Sequence, residues 1–258
     1  MRAILVNDRR PLPPERASLR LLVINPNTTA RMTDAIAAAA RSVAAAETEI
    51  VAVTSALGPA SIEGYYDEAF AAPGIIRALQ ERPDADAAII ACFDDTSLDA
   101  ARTYAACPVI GICEAGLVTS GQLSRRIGVV TTLSRSIVPL EDLVRKYGYA
   151  DRARVYACDV PVLELENPAS GARAQIEARI AQALESGAEA ILLGCAGMAG
   201  LAADLSAQFG VPVVDGVTAA VKQAEALAAL GLKTSKRGSY AAPLAKSYTG
   251  ALAGFAPR

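Results

Sequence analysis

Asp86-Ala-Ala-Ile-Ile-Ala-Cys92 and Glu189-Ala-Ile-Leu-Leu-Gly-Cys195 are one phrase written twice. An acidic residue leads, an apolar run follows and a cysteine closes it. Downstream, Cys107-Pro108-Val109-Ile110-Gly111 matches Val211-Pro212-Val213-Val214-Asp215. Upstream, Leu22-Val23-Ile24-Asn25 matches Gly128-Val129-Val130-Thr131. The cysteines stand 103 residues apart, the prolines 104 and the upstream runs 106, so three landmarks share nearly one offset. A chain with that period carries a duplicated unit.

Each unit alternates short apolar runs with alanine-rich helical stretches. The predicted strands are Leu21–Asn25, Ile50–Thr54, Ala87–Ala91, Val109–Ile112, Ile127–Thr131, Val155–Cys158, Ala190–Gly194 and Val213–Asp215. They are continuously apolar rather than alternating, as parallel strands buried on both faces are. Arg31–Ala45 and Ala172–Ser186 read as helices. Strand–helix alternation predicts βαβ units and parallel sheets. Eight strands also suit a single barrel, but the repeat predicts an α/β protein of two pseudo-symmetric four-stranded parallel-sheet domains with the active site between them. The expected division is residues 20–115 with 217–258 as the first domain and 116–216 as the second. A helix over Ala219–Leu230 would then return to the first domain. Residues 1–19, rich in Arg and Pro, are expected to form an irregular arm.

Composition removes several function classes. The 258-residue chain has no histidine, which excludes Ser-His-Asp and Cys-His nucleophile systems and a histidine base. Acid–base work near neutral pH falls to Cys, Lys, Tyr, Asp or Glu. The five cysteines form no C-x-x-C pair, so a zinc ribbon or thioredoxin-like site is not expected. An odd count without a leader-like N-terminus reads as free thiols in the cytoplasm. The net charge is −2 with no basic stripe, so no nucleic-acid partner is expected. No apolar run reaches the ~18 residues of a membrane span.

In open parallel sheets, ligands bind beyond the carboxyl ends of the strands. Cys92 and Cys195 both fall at such ends, each expected to precede a helix whose N-terminus lowers the thiol pKa toward neutrality. Two facing thiols suit inversion of a carbon centre: one removes a proton from one face and the other delivers a proton to the opposite face. A cysteine closing a buried strand is commonly only a small core hydrophobe. Two at equivalent positions of a repeat argue for chemistry. Cys107, at a strand start, and Cys113 and Cys158, without equivalents, read as packing residues.

The chain also resembles the Asp/Glu/hydantoin racemase superfamily, in particular its hydantoin/allantoin racemase branch, over residues 20–245. The resemblance is carried by Val23-Ile24-Asn25-Pro26-Asn27-Thr28, Gly58-Pro59-Ala60-Ser61-Ile62-Glu63-Gly64, Ala91-Cys92-Phe93-Asp94-Asp95, Gly194-Cys195-Ala196-Gly197-Met198 and Thr234-Ser235-Lys236-Arg237-Gly238. It implies two catalytic cysteines, Cys92 and Cys195, no cofactor or metal, a small-molecule substrate and a homo-oligomer. It implies substrate-binding positions at Asn25, Phe93, Asp94, Ala196 and Gly197, with Thr131 and Thr132 holding the place of Asn25 in the second half. Ser61–Gly64 is expected to border the cleft, with Tyr65 and Tyr66 as either surface packing or ligand contacts.

Within that superfamily, acidic amino-acid racemases carry threonines beside both cysteines to hold a carboxylate. Here those hydroxyls are missing, and Asp94 and Asp95 would repel a carboxylate. A neutral ring fits better, so the expected reaction is inversion at C5 of a hydantoin or of allantoin. An amino-acid racemase is the alternative within the superfamily; a two-lobed small-ligand binding protein is the alternative outside it. Lys233, Lys236 and Arg237 read as the cationic end of a helix stopped by Gly238.

Overall fold

The computed structural model describes residues 18–167 and 169–257. The expected N-terminal arm falls, apart from its last two residues, outside the described residues. Eight strands form two four-stranded sheets, each parallel throughout. The first contains β1 (Leu19–Asn25), β2 (Thr48–Thr54), β3 (Ala87–Ile90) and β4 (Val109–Gly111) in the order β2-β1-β3-β4. The second contains β5 (Ile127–Thr131), β6 (Ala153–Ala157), β7 (Ala190–Gly194) and β8 (Val213–Asp215) in the order β6-β5-β7-β8. The two sheets share one topology, as the repeat predicts, and among the described residues the strands form no continuous eight-stranded barrel.

Neighbouring side chains on a strand point to opposite faces, so a fully apolar strand requires cover on both. Leu21 and Val23 of β1 join one core cluster with Ile36 and Ala40 of α1 (Ala30–Val43) and Val217 and Val221 of α8 (Gly216–Ala229). Leu22 and Ile24 join a second cluster with Ile75 and Leu79 of α2 (Tyr65–Glu81) and Leu98 of α3 (Leu98–Tyr104). The second sheet repeats this. Ile127 and Val129 face Leu140 and Val144 of α5 (Ile137–Lys146); Val130 and Leu193 face Ile176 and Ile180 of α6 (Ala172–Glu185) and Leu205 of α7 (Ala202–Phe209). Each such buried aliphatic side chain contributes roughly 1.5–3 kcal/mol.

The sheets share a core. The cluster that holds Val23 and Ile89 extends to Val129 and Leu192, across α4 (Ile112–Leu123). Gly116 lets α4 approach β7, since a Cβ there would lie 2.4 Å from Leu192 Cδ1. Helix α8 packs on α1, α4 and the first sheet. Gln223 Nε2 donates to the Ala115 carbonyl at 3.0 Å, and Glu225 Oε1 accepts from the Ala45 N–H at 2.7 Å.

The tail departs from its sequence reading. Helix α8 stops at Ala229, with Gly231 in the left-handed region at φ 66°, so Lys233, Lys236 and Arg237 lie beyond its end. Lys236 Nζ instead donates to the carbonyls of Arg102 and Thr103 at 2.6 and 3.0 Å. The cation does meet a helix C-terminus, but that of α3. Unpaired carbonyls attract a cation whatever segment brings it. Among the described residues, no helix is long and apolar enough to cross a membrane.

Candidate active site

In each sheet the chain winds outward in one direction from the first strand and in the other from the third. The crossover therefore reverses between β1 and β3, and between β5 and β7. Such a switch point leaves a crevice at the carboxyl ends. Asn25 and Cys92 stand at the first crevice, Thr131 and Cys195 at the second. Register supports the equivalence: Ile24 pairs with Ile90, and Thr131 with Gly194.

The chain leaves both strands through the same turn. The Cys92 carbonyl accepts from the Asp95 N–H, and the Cys195 carbonyl from the Met198 N–H, both at 3.0 Å. In each turn the main-chain N–H two residues on, of Asp94 and of Gly197, acts on the sulfur in the direction that lowers its pKa. A Cβ at Gly197 would stand 3.8 Å from Cys195 Sγ and 3.1 Å from Leu165 Cδ1, so glycine keeps that sulfur accessible. The two thiols are near enough that charge on Cys195 raises the pKa of Cys92.

The expected lowering of the thiol pKa is not found. Burial pushes Cys92 well above the ordinary thiol value, and the Asp94 charge adds to it. Burial likewise pushes Cys195 up to about 12, against the Gly197 N–H. The reason is local. Helix α3 begins only at Leu98, after a turn with left-handed Asp95 and Ser97 (φ 45° and 55°), so its dipole is not at Cys92. Cys195 leads into a 3-10 helix over Ala196–Leu201 rather than directly into α7. One N–H per sulfur does not offset desolvation.

The charges around the thiols are acidic. Asp94 is pushed up to about 7 by burial, then by Glu68 and Asp95. Its charge raises Cys92 and Cys195, and Glu63 adds to Cys195. Glu63 Oε1 accepts from the Val162 N–H at 3.0 Å, so the Ser61–Gly64 loop reaches from the first half to the second beside Cys195. Glu63 and Glu68 were not singled out from sequence as individual residues; their signal was only their place on and after that loop. Tyr65 and Tyr66 are 62% and 77% exposed, which fits surface residues.

Asp95 has a different task from the carboxylate repulsion expected of it. Its side chain is buried; Oδ1 accepts from the Cys113 N–H at 3.0 Å, and Oδ2 from the Glu114 N–H at 3.0 Å and Tyr147 Oη at 2.7 Å. It caps α4, whose own N-cap position is Gly111. A Cβ at Gly111 would lie 2.2 Å from Asp95 Oδ1, so the missing side chain makes room for the borrowed carboxylate.

The remaining expected positions divide. Asn25 is buried, its Nδ2 donating to Asn27 Oδ1 and Thr33 Oγ1 at 3.0 Å each, so its amide also orders the turn after β1. Thr131 Oγ1 donates to the Gly194 carbonyl at 3.2 Å, tying β5 to the strand end before Cys195. The Thr132 carbonyl accepts from the Val160 N–H at 3.2 Å. Phe93 and Ala196 are buried in the shared core, so what they offer the crevice is main chain. Cys113 and Cys158 are buried, as packing residues are; Cys107 is half-buried.

The description Asp/Glu/Hydantoin racemase belongs to a family that matches residues 21–224. A hydantoin racemase of Pseudomonas sp. (strain NS671) is 45% identical over 241 residues, covering 92% of this chain and 97% of that protein. A hydantoin racemase of Rhizobium meliloti is 48% identical over 237 residues, covering 90% and 98%. The solved allantoin racemase from Klebsiella pneumoniae superposes with a TM-score of 0.90 at 45% identity, over 93% of this chain and all of that one.

Proposed function

This chain belongs to the Asp/Glu/hydantoin racemase family, and from that premise we propose that it is a cofactor-independent racemase inverting C5 of 5-substituted hydantoins or of allantoin. The observation that carries the proposal is the pair of matching turns, which sets one thiol at each switch-point crevice, close enough to be coupled by charge. Cys92 and Cys195 act as the acid–base pair. One, as thiolate, takes the C5 proton; the electrons pass into the adjacent carbonyl as an enolate. The other, as thiol, returns a proton to the opposite face. The pair ends with its protonation states exchanged, ready for the reverse reaction.

Asn25, Asp94, Thr131 and Thr132, with the main chain of Phe93, Ala196 and Gly197, line the proposed binding site. Preorganised N–H groups there would favour the enolate oxygen. The charges acting most on the thiols and on Asp94 are carboxylates, which favours a neutral ring over an amino-acid carboxylate. Asp94 suits the ring N–H as an acceptor when ionised and a ring carbonyl as a donor when protonated.

A substrate screen in D₂O tests this. In EDTA, C5 deuterium uptake is expected with hydantoins or allantoin, and little α-deuterium uptake with aspartate or glutamate. Uptake confined to the amino acids would overturn the substrate assignment.

The pH profile carries a second expectation. Both thiols are raised, so kcat should climb with pH into the alkaline range as a thiolate forms. Above about 7 Asp94 is ionised and opposes that thiolate. Asp94→Asn should therefore shift the rising limb to lower pH, by about one unit. A limb that stays in place would show that Asp94 does not act on the thiols.

A further inference from the structure

Thr96 has a buried hydroxyl, with the residue 1% exposed, and Oγ1 has no hydrogen-bond partner of ordinary geometry. Buried polar groups in that condition are rare and call for a reason. Thr96 lies on the turn that begins at Cys92, held by the Asp95 N–H to Cys92 carbonyl bond and by the Leu98 N–H to Asp95 carbonyl bond, both 3.0 Å. Cys92 Sγ, at the start of the same turn, is near enough for this hydroxyl to act on it and to lower its pKa against the effect of burial. The equivalent position after Cys195, four residues on, is Ala199, which has no hydroxyl. The turns match in their carbonyl bond and in their N–H to sulfur; here they differ.

They differ in charge as well. Cys92 shares its turn with Asp94, whereas the corresponding residue after Cys195 is Gly197. Cys195, at the end of β7, also acts on Cys92, and Cys92 in turn acts on Cys113 of α4. A thiolate at Cys92 thus forms against an adjacent carboxylate that Cys195 lacks on its own turn.

We propose that Thr96 is a positioning residue for Cys92, its hydroxyl donating to the sulfur as the thiolate forms and offsetting the charge of Asp94. A thiol is a weak acceptor and a thiolate a strong one, so the bond tightens when the proton leaves. The duplicated site thereby keeps its two bases comparable, although only Cys92 has a carboxylate on its own turn. The inference rests on Cys92 being one of the two bases.

The test reads Cys92 directly. Wild type, Thr96→Val and Thr96→Ser are alkylated with iodoacetamide across a pH series, and labelling of Cys92 and Cys195 is quantified separately by peptide mass spectrometry. Thr96→Val should raise the Cys92 midpoint by roughly one unit, cutting its labelling rate near neutral pH about tenfold. Cys195 should change little, and Thr96→Ser should restore the wild-type midpoint. Thr96→Ala, run in parallel, carries the same expectation should valine prevent folding. A purely structural Thr96 predicts the opposite: an apolar replacement of an unpartnered hydroxyl is neutral or stabilising and moves neither midpoint. An unmoved Cys92 midpoint, or equal shifts at both cysteines, overturns the inference. Because labelling needs no substrate, this failure is distinguishable from failure of the racemase assignment, which the deuterium screen reports.

Discussion

Serine in place of Cys92 or of Cys195 is expected to reduce racemisation by roughly a hundred- to ten-thousand-fold, the range ascribed to a positioned acid–base group. A hydroxyl fills nearly the same space but is a far weaker base near pH 7. The two variants should nonetheless differ. The variant lacking the base that faces one enantiomer's proton should not exchange that enantiomer with D₂O. It should still exchange the opposite enantiomer, through the surviving thiol, without inverting it. Proton NMR of each enantiomer in D₂O, with polarimetry in parallel, separates the activities. Near wild-type racemisation by both variants would refute the facing-thiol assignment.

The second large effect concerns Asp95. Asp95→Ala removes the acceptor for two α4 N–H groups and for the Tyr147 hydroxyl at once. A lost cap costs about 1 kcal/mol and a buried hydroxyl left unpaired roughly 1–3 more. Alanine also tolerates the left-handed backbone at this position less well than aspartate, where φ is 45°. The expected loss is about 3 kcal/mol, or roughly 6–12 °C in Tm for a chain of this size. Asp95→Asn keeps the size and one acceptor oxygen, and should lose less. Gly111→Ala should destabilise as well, since its Cβ meets the same carboxylate. Thermal melts of the three variants check this; an unchanged Tm for Asp95→Ala would mean that the cap is not needed. Asp95 also holds the turn carrying Cys92, so activity should fall below the melting range too.

Much of the fold was legible because it depends on local pattern. A continuous apolar run of about five residues, repeated with one offset, specifies buried parallel strands and their number. It also specifies two sheets of one topology, because both copies of the phrase meet the same constraints. The strand-end positions of Cys92 and Cys195 follow from the same register. Around the thiols the sequence was less informative. Asp94 and Asp95 are adjacent and alike as letters, yet one faces the thiols and the other caps a helix that begins at Ile112. The helix expected immediately after Cys92 is delayed by a turn in which Asp95 and Ser97 adopt left-handed conformations, and the one expected after Cys195 is preceded by a 3-10 helix. Lys236 reads as the cationic end of its own helix, but it meets the end of α3.

The sequence by itself determined the duplicated α/β architecture, the family, and the placing of one cysteine at each equivalent strand end. Only the tertiary structure decided the protonation environment: thiols raised rather than lowered, Asp94 coupled to both, and Glu63 reaching across from the other half. Hydrophobic periodicity acts between near neighbours along the chain and is written there. Desolvation and Coulomb interactions depend on what surrounds a group in space, and some of those neighbours, such as Glu63 for Cys195, stand far away along the chain.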